Sequence, residues 1–293
     1  MNPRCLPVLL LFIIWQSGSG QSAEPCALLW SISGKGLTYP SYLYGTMHSI
    51  EKKHFFLPSD FTTLFNQCRI LATENASLLN RYISEETYDR INKHLYFLPR
   101  GKTLRDYLTP TQLDSVIAYM REVKISTSQQ KKIFKLKPDY VSGAILSKRL
   151  GKRTGYELFF YRMAYNRNLS RTNPMIISNL EEYKYTLAVT DSISIESQAK
   201  TLMHDIATRH ALHFKLVEAY KKQDITLLLQ LVADSDLDLL VNTRNQNWIP
   251  KIEKLIHSQR TFIAVGAAHL AGERGLIYLL REQGYILEPV SDK

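Results

Sequence analysis

Near each end of the chain a strand-like run closes on the same short pattern, and this pairing limits the fold more than any other feature. Ser41-Tyr42-Leu43-Tyr44 leads into Gly45-Thr46-Met47-His48, and Thr261-Phe262-Ile263-Ala264-Val265 leads into Gly266-Ala267-Ala268-His269. A β run that ends in Gly-x-x-His places a glycine where the backbone turns sharply and an imidazole just past the strand. If the two strands lie parallel in one sheet, both histidines emerge at its carboxyl edge, where open α/β sheets bind ligands. The two ends must then share one sheet, with the intervening chain packed around it. Two distant histidines meeting at such an edge point to a metal or acid-base site.

The first residues read as a segment outside the fold. Arg4 precedes an apolar run from Leu6 to Trp15, and Ser17-Gly18-Ser19-Gly20 follows with small residues suited to cleavage. That order is expected of a secretory signal peptide over residues 1–20, and the run is short for a bilayer span. The mature protein is therefore expected in the periplasm or outside the cell. Cleavage would leave Cys26 and Cys68, for which a disulfide and a pair of buried thiols are both open. Apolar residues make up 45% of the 293 positions, ample for a core. The formal charge of +10, with clusters at Lys131-Lys132, Lys148-Arg149, Lys152-Arg153 and Lys221-Lys222, suits acidic partners or a membrane surface, or simply a solvated face. No nucleic-acid motif accompanies it, so nucleic acid is not an expected partner.

The patterning predicts an α/β fold, a central mixed sheet from the N- and C-terminal parts with a helical insertion. One domain over 21–293 is expected, with the insertion at about 80–245. Leu28 to Ser33 and Tyr42 to Gly45 form a hairpin around Gly34-Lys35-Gly36, and Arg69 to Thr73 is a buried strand ending at Glu74. Pro58-Ser59-Asp60, Pro110 and Pro138 open helices. Gly155 to Tyr165 and two or three segments within Ile193 to Leu240 are helical, and Pro174 to Ser178 is a short strand. Trp248 to Ile256 is a helix, Phe262 to Val265 a strand, Leu276 to Glu282 a helix ended by Gly284, and Tyr285 to Val290 the last strand.

His48 and His269 lead the candidates for chemistry, since neutral imidazole is a common ligand for transition metals. Glu74 closes its strand as the histidines follow theirs. Two histidines and a carboxylate can face one metal, while a carboxylate there also suits helix capping or an ion pair. Arg244, in Arg244-Asn245 ahead of the helix carrying Trp248, can hold a substrate carboxylate or an oxyanion, or can pair with Glu74 or Glu181. Glu157 stands at a helix start, as a further ligand, a general base, or a carboxylate favoured there by the helix dipole; Glu181 has a similar standing. Gly272 and Gly275 could line an anion-binding nest or only make a turn. The other six histidines show no matched pairing. There is no Gly-x-Ser-x-Gly elbow, His-Glu-x-x-His pair or P-loop.

Taken together these residues resemble the TraB/GumN family, which includes the Tiki proteins. The resemblance rests on Trp30-Ser31-Ile32, Ser41 to His48, Leu57-Pro58, Glu74, Gly155-Tyr156-Glu157, Leu180-Glu181, Arg244-Asn245 with Trp248, Phe262 to Gly272, and Gly284-Tyr285. It covers nearly the whole mature chain. Two positions depart from the family pattern. Ala76 stands where many relatives carry an acid, and Tyr156-Glu157 replaces an aliphatic-aspartate pair. The resemblance implies a metal-dependent peptidase using a divalent ion, manganese or cobalt as in Tiki proteins, with zinc the further option. His48, His269 and Glu74 are then the expected metal ligands, and Glu74, Glu157 and Arg244 the expected catalytic groups. A peptide or protein is the expected substrate. A peptide- or envelope-ligand-binding protein without turnover is the alternative.

Overall fold

The computed structural model describes residues 25–75, 93–171, 173–233 and 238–290. The expected leader and the Ala76 departure lie outside the described residues. The chain runs through β1 (Leu29–Gly34), β2 (Ser41–Thr46), β3 (Ile50–Glu51), α1 (Phe61–Gln67) and β4 (Ile70–Thr73). It continues through α2 (Pro110–Glu122), α3 (Thr127–Ile133), α4 (Pro138–Leu150), β5 (Arg153–Thr154), α5 (Tyr156–Leu169) and β6 (Ile176–Asn179). Next come α6 (Tyr183–Ser192), α7 (Ile195–Ala207), α8 (Ala211–Lys221) and α9 (Ile225–Leu231). The chain closes with α10 (Thr243–Ser258), β7 (Thr261–Gly266), α11 (Leu276–Glu282) and β8 (Tyr285–Pro289).

Six strands form one mixed sheet in the order β6-β4-β7-β2-β1-β8. The hairpin is present as read: β1 and β2 are antiparallel, and Gly34, Lys35 and Gly36 all take positive φ in the turn between them. β8 returns antiparallel to β1. β7 lies between β2 and β4, parallel to both, and β6 extends the parallel half. Its central strands are buried on both faces, and Tyr44, Phe61, Phe65, Phe160 and Phe262 pack edge-on or stacked beneath them. Parallel strands covered on both faces read as continuous apolar runs, as Phe262 to Val265 does.

The middle of the chain is helical, with its own core of Val116, Met120, Val141, Ile145 and Leu202 from α2, α4 and α7. It also supplies β6, the sheet's outer parallel strand. Among the described residues, α3 and α6 are helices that the sequence pattern does not announce by apolar spacing. The signal for α3 was present: Ser126 and Gln129 form a reciprocal capping box at its start. The helix placed at Trp248 begins earlier, at Thr243, so Arg244 and Asn245 sit in its first turn rather than ahead of it. Cys26 is exposed and Cys68 buried, and both are free thiols, so no bridge joins them. The Cys68 thiol donates to the Leu64 carbonyl at 3.3 Å.

Candidate active site

Pairing β2 with β7 in register sets Thr46 opposite Gly266, and the two Gly-x-x-His segments leave the sheet together at its carboxyl edge. The glycines serve close approach rather than a turn. Neither Gly45 nor Gly266 has positive φ. A Cβ on Gly45 would come within 3.1 Å of Ala267, and one on Gly266 within 3.3 Å of Glu74 Oε1. After β7 the chain enters a single 3-10 turn, Ala267–His269, which carries His269 inward. After β2, His48 is tied down from another direction. β3 pairs antiparallel with β5, Ile50 opposite Thr154, and this short ladder presses the His48 segment against the start of α5. The fit there needs a glycine, because a Cβ on Gly155 would stand 2.4 Å from the His48 carbonyl oxygen. Glu157 thereby reaches His48.

The candidate groups do meet. Glu74, one residue past β4, accepts the Gly266 N–H at Oε1 over 2.7 Å. That same oxygen lies 3.9 Å from His48 Nε2 and 3.8 Å from His269 Nε2. Each histidine is held by its other ring nitrogen. His48 Nδ1 lies 2.7 Å from Glu157 Oε1, and the Thr46 hydroxyl donates to that carboxylate as well. His269 Nδ1 lies 2.7 Å from Asn245 Oδ1, while Asn245 Nδ2 donates to the carbonyls of His269 and Arg274 at 3.1 and 2.8 Å. Because the amide nitrogen is committed to two carbonyls, the amide oxygen must face His269. The histidine then carries its proton on Nδ1 and leaves the Nε2 lone pair facing Glu74. Trp248 packs against the His269 ring with centroids 4.6 Å apart.

Arg244 adopts the ion-pair arrangement. Its Nε and Nη2 donate to the two oxygens of Glu181, each at 2.9 Å, and Nη2 also donates to Glu74 Oε2 at 2.6 Å. Nη1 donates to the Leu240 carbonyl at 3.0 Å and lies 3.4 Å from His269 Nε2. Trp248 Nε1 adds a bond to Glu181 at 3.2 Å. Removing one partner of a buried charge pair of this kind typically costs about 3–5 kcal/mol, so Arg244 ties Glu74 and Glu181 together. Glu181 is accordingly an anchor for Arg244. Gly272 and Gly275 only make a turn, closed by the Gly275 N–H on the Gly272 carbonyl at 2.9 Å.

The charges divide the two histidines. The Glu157 carboxylate raises the His48 pKa to about 10 against a smaller opposing cost of desolvation. The His48 side chain is 68% exposed, so water screens part of that attraction. Burial lowers His269 to about 4, outweighing the pull of Glu74, so it is neutral near pH 7. Burial alone would raise Glu74, but His269, His48, Arg244 and the Gly266 N–H together hold it well below the usual carboxylate range. One imidazole is therefore cationic and one neutral, on either side of an ionised carboxylate.

Among the described residues no three His, Cys, Asp or Glu side chains meet as a ready-made metal site. The donor set nonetheless fits a divalent ion. A Cβ on Gly266 would have Glu74 Oε1 at 3.3 Å, the His269 ring at 3.6 Å and His48 Nε2 at 3.7 Å, so the bare Cα borders a small space ringed by two imidazoles and a carboxylate. Of the other six histidines, four make side-chain contacts elsewhere: His94 with Asp191, His210 with Tyr119 and Ser142, His213 with Glu51, and His257 with Tyr285.

A mixed sheet with paired Gly-x-x-His strand ends and a buried Glu-Arg-Glu cluster defines an α/β protein with a polar site at its carboxyl edge. The TraB/PrgY/gumN family model matches residues 28–289, nearly the whole chain, and the protein belongs to that family. No curated protein and no solved structure matches it.

Proposed function

We propose that this chain is an exported metal-dependent hydrolase that cuts peptide bonds. The observation that carries the reading is the approach of His48 Nε2 and His269 Nε2 to one oxygen of Glu74, at 3.9 and 3.8 Å. The three groups come from three neighbouring parallel strands, and they are a donor set suited to manganese, cobalt or zinc. Such an ion, when bound, would lower the pKa of a water and polarise a carbonyl. The protein's own groups do the rest. Asn245 holds His269 with its Nε2 lone pair toward the site. Glu157 orients His48 and takes up its Nδ1 proton interaction, and His48 must release its Nε2 proton before that nitrogen can act as a ligand. Arg244 keeps Glu74 ionised and aimed, and the second Nη1 N–H, the one not given to the Leu240 carbonyl, lies beside His269 and is the donor suited to a substrate carbonyl. The apolar stretch from Leu6 to Trp15 supports the exported location, and the basic clusters allow contact with a membrane surface.

The test is elemental analysis of the mature protein, followed by cleavage of a peptide mixture with and without chelator. The expected result is stoichiometric binding of a divalent ion and cleavage that disappears with chelator and in His269→Ala. A metal-free protein whose activity ignores chelator defeats the assignment. A second reading, a peptide- or envelope-ligand-binding protein without turnover, is favoured by one observation: both oxygens of Glu74 already accept hydrogen bonds, from Gly266 and Arg244. Ligand binding by wild type with no cleavage under any metal would select it.

A further inference from the structure

The histidines open onto a cavity of about 390 Å³ whose chemistry is unlike that of the polar cluster behind them. Met47 and Ala268, the residues just before His48 and His269, line one side. Leu216 and Tyr220 of α8, one helical turn apart, line another, and Leu228 of α9 and Val241 complete it. The Tyr220 hydroxyl is committed to the Gly45 carbonyl at 2.9 Å, so that residue offers the cavity its ring. Among the described lining residues, those that can carry charge near neutral pH are His48, Arg244 and His269. His48 is paired with Glu157, Arg244 with Glu74 and Glu181, and His269 Nδ1 is held by Asn245 Oδ1. Among the described lining residues no charge is left uncompensated. The volume falls in the range of small-ligand pockets, and the lining is of the kind that binds through apolar contact while a few polar groups fix orientation.

We propose that this cavity is the specificity pocket of the site and takes a large aliphatic or aromatic side chain of a peptide, adjacent to the bond presented to His48, His269 and Glu74. The inference rests on the hydrolase reading for the bond, but not for the binding of the side chain. Two chain segments that sequence alone leaves unrelated, α8–α9 and the paired strand ends, share the pocket, so the helical part of the chain selects what the sheet edge acts on. An apolar pocket of this kind discriminates by about 10-fold or more between a large apolar side chain and glycine.

The test uses the full mature chain and fluorescein-labelled hexapeptides in which one position, moved along the peptide, is Gly, Ala, Leu, Phe, Asp or Lys. Binding is read by fluorescence polarisation, and cleavage of the same peptides with manganese added is scored separately. The expected result is at least about 10-fold tighter binding of Leu or Phe than of Gly, Asp or Lys at one position. Ala268→Phe, which fills the pocket, should erase that preference while peptides with Gly there still bind. Leu216→Ala, which enlarges it, should shift the preference from Leu toward Phe, and thermal melts confirm that both variants are folded. Binding indifferent to the varied side chain, no binding at all, or a preference unchanged in both variants overturns the proposal. Selective binding without any cleavage removes the hydrolase reading and leaves the pocket standing. Cleavage indifferent to the side chain does the reverse.

Discussion

Glu157 shows how one residue can be right in place and different in role. As a carboxylate at a helix start it was open to being a ligand, a base or a dipole partner; in the fold it faces the outer nitrogen of His48 at 2.7 Å. Asn245 plays the matching part for His269, and its position within an Arg-Asn pair carried no sign of this. Side chains that hold a histidine's far nitrogen are spread over distant segments, so no local spacing reveals them, whereas the histidines stand out because strand, glycine and imidazole repeat as a unit. Outer partners of metal-bound histidines typically contribute about 10–100-fold to affinity or activity. Glu157→Gln is expected to weaken manganese binding by about that factor and to bring the His48 pKa down from its raised value toward the ordinary imidazole range. Calorimetry and an NMR titration of the ring protons would read the two effects, and an unchanged His48 titration would refute the role given to Glu157.

At the scale of elements, the parallel β4-β7-β2 trio matters most, because it converts three separate strand ends into one site. These runs were legible: β7 and β4 are short, continuous and apolar, and the hairpin of β1 and β2 has its glycine turn. Harder to see was the β3–β5 ladder, two residues a side and without any hydrophobic pattern, although it is what brings His48 to Glu157. The start of α10 was misjudged because its first turn, Thr243 to Asn245, is polar and serves the site instead of the core. Gly266 offers a clean probe of the trio. Its φ of −52° suits alanine, but the added methyl would intrude on the space between Glu74, His269 and His48. Gly266→Ala should keep a wild-type circular dichroism spectrum and lose most of its divalent-ion binding by calorimetry. Full binding in a folded variant would place the ion elsewhere.

For the whole molecule, the buried histidines set an expected pH profile. His210 and His213 are held below 6.5 by burial, and His269 likewise falls to about 4. As pH drops below about 6.5 the unfolded chain takes up protons that these folded positions refuse, so stability falls on the acid side. His48 acts in the opposite sense: with its folded pKa raised, the fold binds the extra proton above 6.5, and that contribution fades as pH rises toward about 10. Because His48 is exposed to solvent, the alkaline limb is the shallower. Urea midpoints measured from pH 5 to 9 are expected to peak near 6.5, with the acid limb flattened in His210→Gln. A midpoint that keeps climbing as pH drops from 6.5 to 5 would contradict the burial of these rings. A final consequence comes from the place of β7 in the middle of the sheet. Its flanking strands, β2 and β4, are made some two hundred residues earlier and remain unpaired along their facing edges until it arrives. A nascent chain thus lacks the assembled site and leaves two apolar strand edges open until β7 is made, which exposes it to mispairing during synthesis.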